Sequence, residues 1–223
     1  MEKEKISKIF LLLTCFYITL ILISNILAGR LISIAGLSFT GAVIIFPFTY
    51  ILSDIFTEIY GFHQNKKVIW LSFACNLMMV IIFMLVLQLP YPETFENQGA
   101  YQQVLGTTPR MLVASLAGFL FGNFLNSMIL SKLKVVTKGK YLAFRTISST
   151  VVGEAIDTLI FITIAFLGTL TNQAIIMMVI NQSIFKILIE VLFTPMMYFI
   201  IKSVKKAENI DVYDQNMKYS IFK

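Results

Sequence analysis

Residues 37–58 read LSFTGAVIIFPFTYILSDIFTE. The stretch is almost wholly apolar and about as long as the roughly 20 residues that a helix needs to cross a bilayer. Yet it carries two carboxylates, Asp54 and Glu58. A charge near the bilayer centre costs roughly 2.5–3.5 kcal/mol on insertion scales, so such residues face a cavity or a partner rather than lipid. Pro47, Tyr50, Asp54 and Glu58 are spaced by three, four and four, which puts them on one helix face. Pro47 lacks an amide hydrogen, and in mid-helix it is expected to kink the span.

Working outward, the rest of the chain has the same character. Of its 223 residues, 57% are hydrophobic and only 13% charged; the mean hydropathy is +0.81. A soluble domain carries about 25% charged residues. The deficit excludes a soluble enzyme with a membrane anchor, a disordered protein and a disulfide scaffold. Cys15 and Cys75 lie in separate apolar blocks, where a free thiol behaves as a small hydrophobe.

Six apolar runs stand out, at about 8–28, 37–58, 68–89, 111–131, 148–168 and 174–201. In lipid such runs satisfy their backbone groups as helices. The expected fold is therefore all-α: a polytopic membrane protein forming a six-transmembrane-helix bundle in one domain, 1–223. Between 90 and 109 the chain holds Pro90, Pro92, Gly99, Gly106 and Pro109, which reads as an irregular loop or a short surface helix. The first run is too long for a signal peptide and lacks a cleavage site, so it reads as a span.

Lysine and arginine set the orientation, because short cytoplasmic loops are enriched in them. With the N-terminus inside, the cytoplasmic regions hold Lys3, Lys5 and Lys8; Lys66 and Lys67; Lys132, Lys134, Lys138, Lys140 and Arg145; and Lys202, Lys205, Lys206, Lys218 and Lys223. The outer loops hold only Arg30 and Arg110. Both termini are expected to be cytoplasmic. The net charge of +6 is then a topology signal and not a nucleic-acid-binding surface.

Two further polar stripes join the first. In the fifth run, Thr150, Glu154, Asp157 and Phe161 share a face; in the sixth, Gln182, Lys186 and Glu190 do. Each has a plainer alternative. Asp54 and Glu58 could reach interfacial water, Glu154 and Asp157 could complement a helix N-terminus, and Lys186 with Glu190 could form an i,i+4 pair within its own helix. Set against Lys186, these five acids leave four without a partner inside the spans, with Arg145 as a further candidate partner. The arrangement suits a ligand rich in hydrogen-bond donors, or protons, better than an anion.

Tyr17, Ile21 and Asn25 share a face of the first run, which makes Asn25 a candidate cavity residue. Ala114, Gly118, Gly122 and Asn126 recur every four residues, a spacing that lets helices approach closely. His63 reads as a solvated loop residue. No nucleotide loop, GxSxG, HExxH or Cys/His cluster occurs, so no catalytic residue, metal or cofactor is expected, and the chain is not read as an enzyme.

The string from Phe46 to Gly61 resembles the F-P-x-T-x-x-x-x-D-x-x-x-E-x-Y-G signature of the VUT family of queuosine-precursor transporters. Arg145, Ser148-Ser149-Thr150, Gly153-Glu154-Ala155-Ile156-Asp157-Thr158 and Phe161 resemble a second family string. Lys186, Glu190, Thr194-Pro195 and Tyr198 resemble a third, and Asn25, Arg110 and Ser115 also fit. The chain departs at Lys66-Lys67, where the family commonly has Ala-Arg, and at Asn126, near which an Asp is common. The likeness covers about residues 8–205.

The resemblance implies a six-helix inner (plasma) membrane importer of 7-deazaguanine compounds used for tRNA modification: the 7-cyano form, the 7-aminomethyl form or queuine. It implies the overall shape of vitamin-binding S components without their energising ATPase module, and the first run lacks the Ala-xxx-Ala face by which those dock. On that reading Asp54, Glu58, Glu154, Asp157 and Glu190 would accept the N1–H and 2-amino donors of the base. Lys186 would donate to its carbonyl, and Phe46, Tyr50 and Phe161 would stack on the ring. The alternatives are a proton-coupled carrier for another small polar solute and an S-type subunit for a nucleobase or vitamin. All of them require the acidic faces of the second, fifth and sixth runs to converge.

Overall fold

A computed structural model describes residues 7–34, 36–106, 109–215, 217 and 219–220. Lys3, Lys5, Lys218 and Lys223, which entered the charge asymmetry, lie outside the described residues. The elements are α1 (Lys8–Ala28), β1 (Leu31–Ile34), β2 (Leu37–Thr40), a 3-10 turn (Gly41–Ile44), α2 (Phe46–Leu87), α3 (Gln98–Leu105), α4 (Pro109–Val136), α5 (Leu142–Phe166) and α6 (Asn172–Glu208). Among the described residues, five helices are long and apolar enough to cross a membrane: α1, α2, α4, α5 and α6.

The second apolar run differs from its expected form. Residues 37–44 are not α-helical. β1 and β2 pair antiparallel with Leu31 opposite Thr40, the 3-10 turn follows, and α2 starts only at Phe46. Phe39 of this hairpin packs on Phe185 of α6, with ring centroids 4.9 Å apart. Pro47 does not kink a helix; it occupies the first turn of α2, where its missing N–H would have no intrahelical partner in any case.

The break in α2 is at Gly61, with φ 82° and ψ 167°. In an unbroken helix, residues 12 apart are about 18 Å apart. Yet the Asn65 amide donates to the Ser53 hydroxyl at 2.9 Å and to the Thr57 hydroxyl at 2.8 Å. The chain therefore doubles back at Gly61, and Phe46–Leu87 is two rods laid side by side. Only glycine holds that backbone region readily.

The segments pack by burying what water would normally keep. Leu12, Phe16, Leu188, Leu192 and Phe199 are exposed, while Asp54, Glu154, Arg145 and Lys186 are buried. That inversion is what a lipid-facing bundle with a polar interior requires. An apolar layer of Tyr17, Ile21, Phe56, Ile59, Phe119 and Met197 fills the space among α1, α2, α4 and α6. α4 and α5 meet at their glycines: a Cβ at Gly122 would lie 2.6 Å from the Asp157 Cβ, and one at Gly153 would lie 2.6 Å from the Asn126 Cβ.

The helix ends are specified locally. Ser7 caps α1 by accepting from the amides of Ile9 and Phe10, and Thr171 caps α6 through Ala174. Asn209, left-handed at φ 54°, ends α6, as a C-terminal cap residue often does. Beyond it the tail turns back beneath the bundle. The Val212 amide donates to the Ile59 carbonyl at 3.1 Å, and the Phe62 amide donates to the Asp214 carboxylate at 2.8 Å.

Candidate functional site

Close contact of α4 and α5 brings Asn126 beside the second wall of the interior. Its amide nitrogen donates to Asp54 Oδ1 of α2 at 2.7 Å, and its oxygen accepts from the Thr150 hydroxyl of α5 at 3.3 Å. Opposite, Lys186 of α6 donates to Asp157 Oδ2 at 3.1 Å and to the Thr158 hydroxyl at 3.2 Å. Its ammonium also lies 4.5 Å from the Phe46 ring centre. Lys186 thus pairs across to α5 and not with Glu190 one turn along its own helix, so the intrahelical pair offered as the plainer reading does not form.

Between these walls stand polar atoms with no hydrogen-bond partner among the described residues. They are the Tyr50 hydroxyl, Asp54 Oδ2, both carboxylate oxygens of Glu154 and both of Glu190, with Gln182 Oε1 nearby in sequence on α6. Asp54, Glu154 and Glu190 lie within electrostatic reach of one another, and Tyr50 lies within reach of Asp157, Glu154 and Glu190. Each of these residues is at most 4% exposed. Buried polar groups are ordinarily satisfied. A group of them gathered in the interior marks the candidate site.

Tyr50, Asp54, Glu154, Asp157, Lys186 and Glu190 therefore converge, and Phe46 forms a side wall beneath the Lys186 ammonium. Three other sequence candidates lie elsewhere. Glu58 is a clamp: Arg145 holds it with two nitrogens at 2.5 and 3.2 Å, Lys205 donates to it at 2.8 Å, and the Lys134 ammonium lies 3.9 Å away. Helices α2, α4, α5 and α6 are joined there. Asn25 and Phe161 instead line a small pocket beside α3, with Ser115, Met79 and Phe83. The Ser115 hydroxyl donates to the Asn25 side-chain oxygen at 2.5 Å. Phe161 stands one turn along α5 from Asp157, so this cavity abuts the carboxylate group.

Some of the machinery escaped the sequence reading. The sequence marks Lys134 and Lys205 only as charges that set orientation, but both belong to the clamp and pair with Asp211 in the tail, at 2.6 and 2.8 Å. Burial would raise the Asp211 carboxyl, but the Lys134 and Lys205 hydrogen bonds outweigh it and hold the pKa below the ordinary value. Spacing from the end of α6 could have flagged Asp211; nothing local could have flagged Asp214, whose partners Phe62 and Ser131 are remote in sequence.

Comparison with known proteins places the chain. Residues 40–200 match a family described as "Putative vitamin uptake transporter". A "Probable queuosine precursor transporter" of Bacillus subtilis (strain 168) is 24% identical over 186 residues, which is 83% of this chain and 81% of the relative. A "Queuosine precursor transporter" of Escherichia coli (strain K12) is 27% identical over 154 residues, or 69% and 67% of the two chains. No solved structure matches. The matched region spans the α2 carboxylates, the α4–α5 contact and the Lys186–Glu190 face, and it marks the chain as a multi-pass transport protein that belongs to the vitamin uptake transporter family.

Proposed function

We propose that the protein imports queuosine precursors, 7-deazaguanine bases destined for tRNA modification, across the cell's inner (plasma) membrane. One observation carries the reading: a buried group of carboxyl side chains, Asp54, Glu154 and Glu190, beside the Asp157–Lys186 pair. A guanine-like edge offers N1–H and the 2-amino group together, and a carboxylate accepts two such parallel donors. Lys186 and the Tyr50 hydroxyl are the donors for the base carbonyl. Phe46 and Tyr50 supply ring surface, and Asn25 and Phe161 form the approach beneath α3. The names of the two relatives support the substrate class.

The same reading has one domain crossing the membrane six times, with the two rods of α2 as separate crossings. The chain reversal at Gly61 and the Lys/Arg asymmetry support six crossings with both termini in the cytoplasm. No ATPase module takes part.

The test is uptake in bacteria that neither make the precursor nor possess another importer. The chain should restore queuosine to tRNA at nanomolar external base, and Asp54→Asn or Glu154→Gln should cut the initial rate at least about tenfold, the value of one charged hydrogen bond. Normal uptake by both variants at equal membrane abundance would refute the site; absence of uptake by the parent chain would refute the substrate.

A further inference from the structure

The reversal at Gly61 puts the end of one rod of α2 beside the start of the next. A helix end leaves its last carbonyls without intrahelical partners, and a helix start leaves its first amides so. The tail supplies partners for both. The Val212 amide donates to the Ile59 carbonyl at 3.1 Å, closing the first rod. The Asp214 carboxylate accepts from the Phe62 amide at 2.8 Å, capping the second rod from 152 residues away. The same carboxylate accepts from the Ser131 hydroxyl of α4 at 2.6 Å. Lys134, one turn further along α4, donates to the Glu58 carbonyl at 2.5 Å and to the Val212 carbonyl at 2.7 Å. Residues 211–214 thus lie as a strap across the seam between α2 and α4.

That seam is polar along its length. From Asp54, bonded to Asn126, it continues through Ser127 to Ser131 beneath the strap; Ser127 meets the Thr57 hydroxyl at 2.7 Å and the Asn65 amide at 3.1 Å. Walls joined by hydrogen bonds can part by exchanging those bonds for bonds to water, whereas apolar walls expose area when they part. The strap itself is lightly held. Asp211, Val212 and Tyr213 are exposed, and each hydrogen bond contributes a net of only about 0.5–1.5 kcal/mol. Its departure leaves no cation alone. Lys134 and Lys205 pair with Asp211 at 2.6 and 2.8 Å, and both keep Glu58 as a second acid, at 3.9 and 2.8 Å. Resting on the importer reading, we infer that the strap is the closed gate at this end of the bundle, and that it lifts in each transport cycle to release the carried molecule along the α2–α4 seam. The closed and lifted states differ in how Asp211 and Glu58 share the two lysines, so the charges stay compensated in both.

A reversible fastening of the strap tests the inference. Ser131→Cys with Asp214→Cys, made in a chain that also carries Cys15→Ala and Cys75→Ala, allows one disulfide to tie the strap to α4. Uptake of labelled 7-cyano- or 7-aminomethyl-7-deazaguanine into proteoliposomes should persist with the pair reduced, be lost on oxidation and return with a reductant. The chain with Cys15→Ala and Cys75→Ala alone should respond to neither treatment. Equal uptake with the disulfide formed and with it reduced would make the strap a static cap and overturn the inference. Hydrogen exchange in the unsubstituted full chain needs no variant to fold. The Phe62 and Val212 amides, both bonded through the strap, should show equal protection after correction for intrinsic rates, because one lifting frees both. Unequal protection would overturn the gate. Absence of uptake by the unsubstituted chain would refute the importer reading instead, and the exchange comparison would then decide the strap by itself.

Discussion

At the residue scale, the Lys186–Asp157 pair is the most exacting feature. Its two charges lie 3.1 Å apart and out of contact with solvent, and removing one partner of such a pair typically costs about 3–5 kcal/mol because the other is left buried alone. Asp157→Asn should therefore lower the melting temperature of the full-length protein strongly. The double change Asp157→Asn with Lys186→Met should recover most of the loss; a double variant as unstable as the sum of its parts would show that the two charges are not coupled. The residues of this site were legible because each acid interrupts an apolar run at helical spacing. What spacing could not convey is how far one turn carries a side chain. Glu58 stands on the same stripe as Asp54, one turn along, yet it meets Arg145 and Lys205 instead of the shared interior. Loop lysines were counted for their sign alone, and sign does not tell a solvated lysine from one that reaches beneath a helix.

At the element scale, α2 departs furthest from its sequence. Hydropathy reads a run beginning at Leu37 as one rod, because pairing in a hairpin also consumes apolar residues and leaves no hydropathy mark. Pro47 drew the eye as a breaker, but Gly61 is where the chain reverses. A Cβ there would lie 2.9 Å from Asp214 Oδ1 and from Val212 Cγ1, and the backbone region itself costs a non-glycine residue about 1–3 kcal/mol. Gly61→Ala should reduce thermal stability by at least that amount and loosen the tail, as read by proteolysis after residue 208; a variant as stable and as protected as the parent would contradict the reversal. The α4–α5 contact, in contrast, was written plainly in the four-residue spacing of Gly118, Gly122 and Asn126.

At the scale of the whole molecule, the Glu58 clamp and the tail close one end of the bundle. The Glu208 carboxylate accepts from Ser7 at the start of α1 and from Tyr60 at 2.5 Å, so first and last helices meet beside the α2 turn. Asp211 makes this closure sensitive to acid. Its pKa is held below the ordinary carboxylate value by Lys134 and Lys205, so its contribution is fully present above about pH 4. It is lost as pH falls through the lowered value. Hydrogen exchange at the Val212 amide should be steady from about pH 7 to 5 and accelerate, after correction for intrinsic rates, only below about pH 4. Asp211→Asn should abolish that acid step; an identical step in the variant would assign it to another group.

The Asp214 carboxylate that receives the Phe62 amide has a bearing on how the chain is made. A ribosome working from the N-terminus places residue 62 in the membrane long before residue 214 exists. Until residue 214 has been made the Gly61 corner is thus without its acceptor, and the newborn protein acquires a finished inner face there only after the whole of α6 has been threaded.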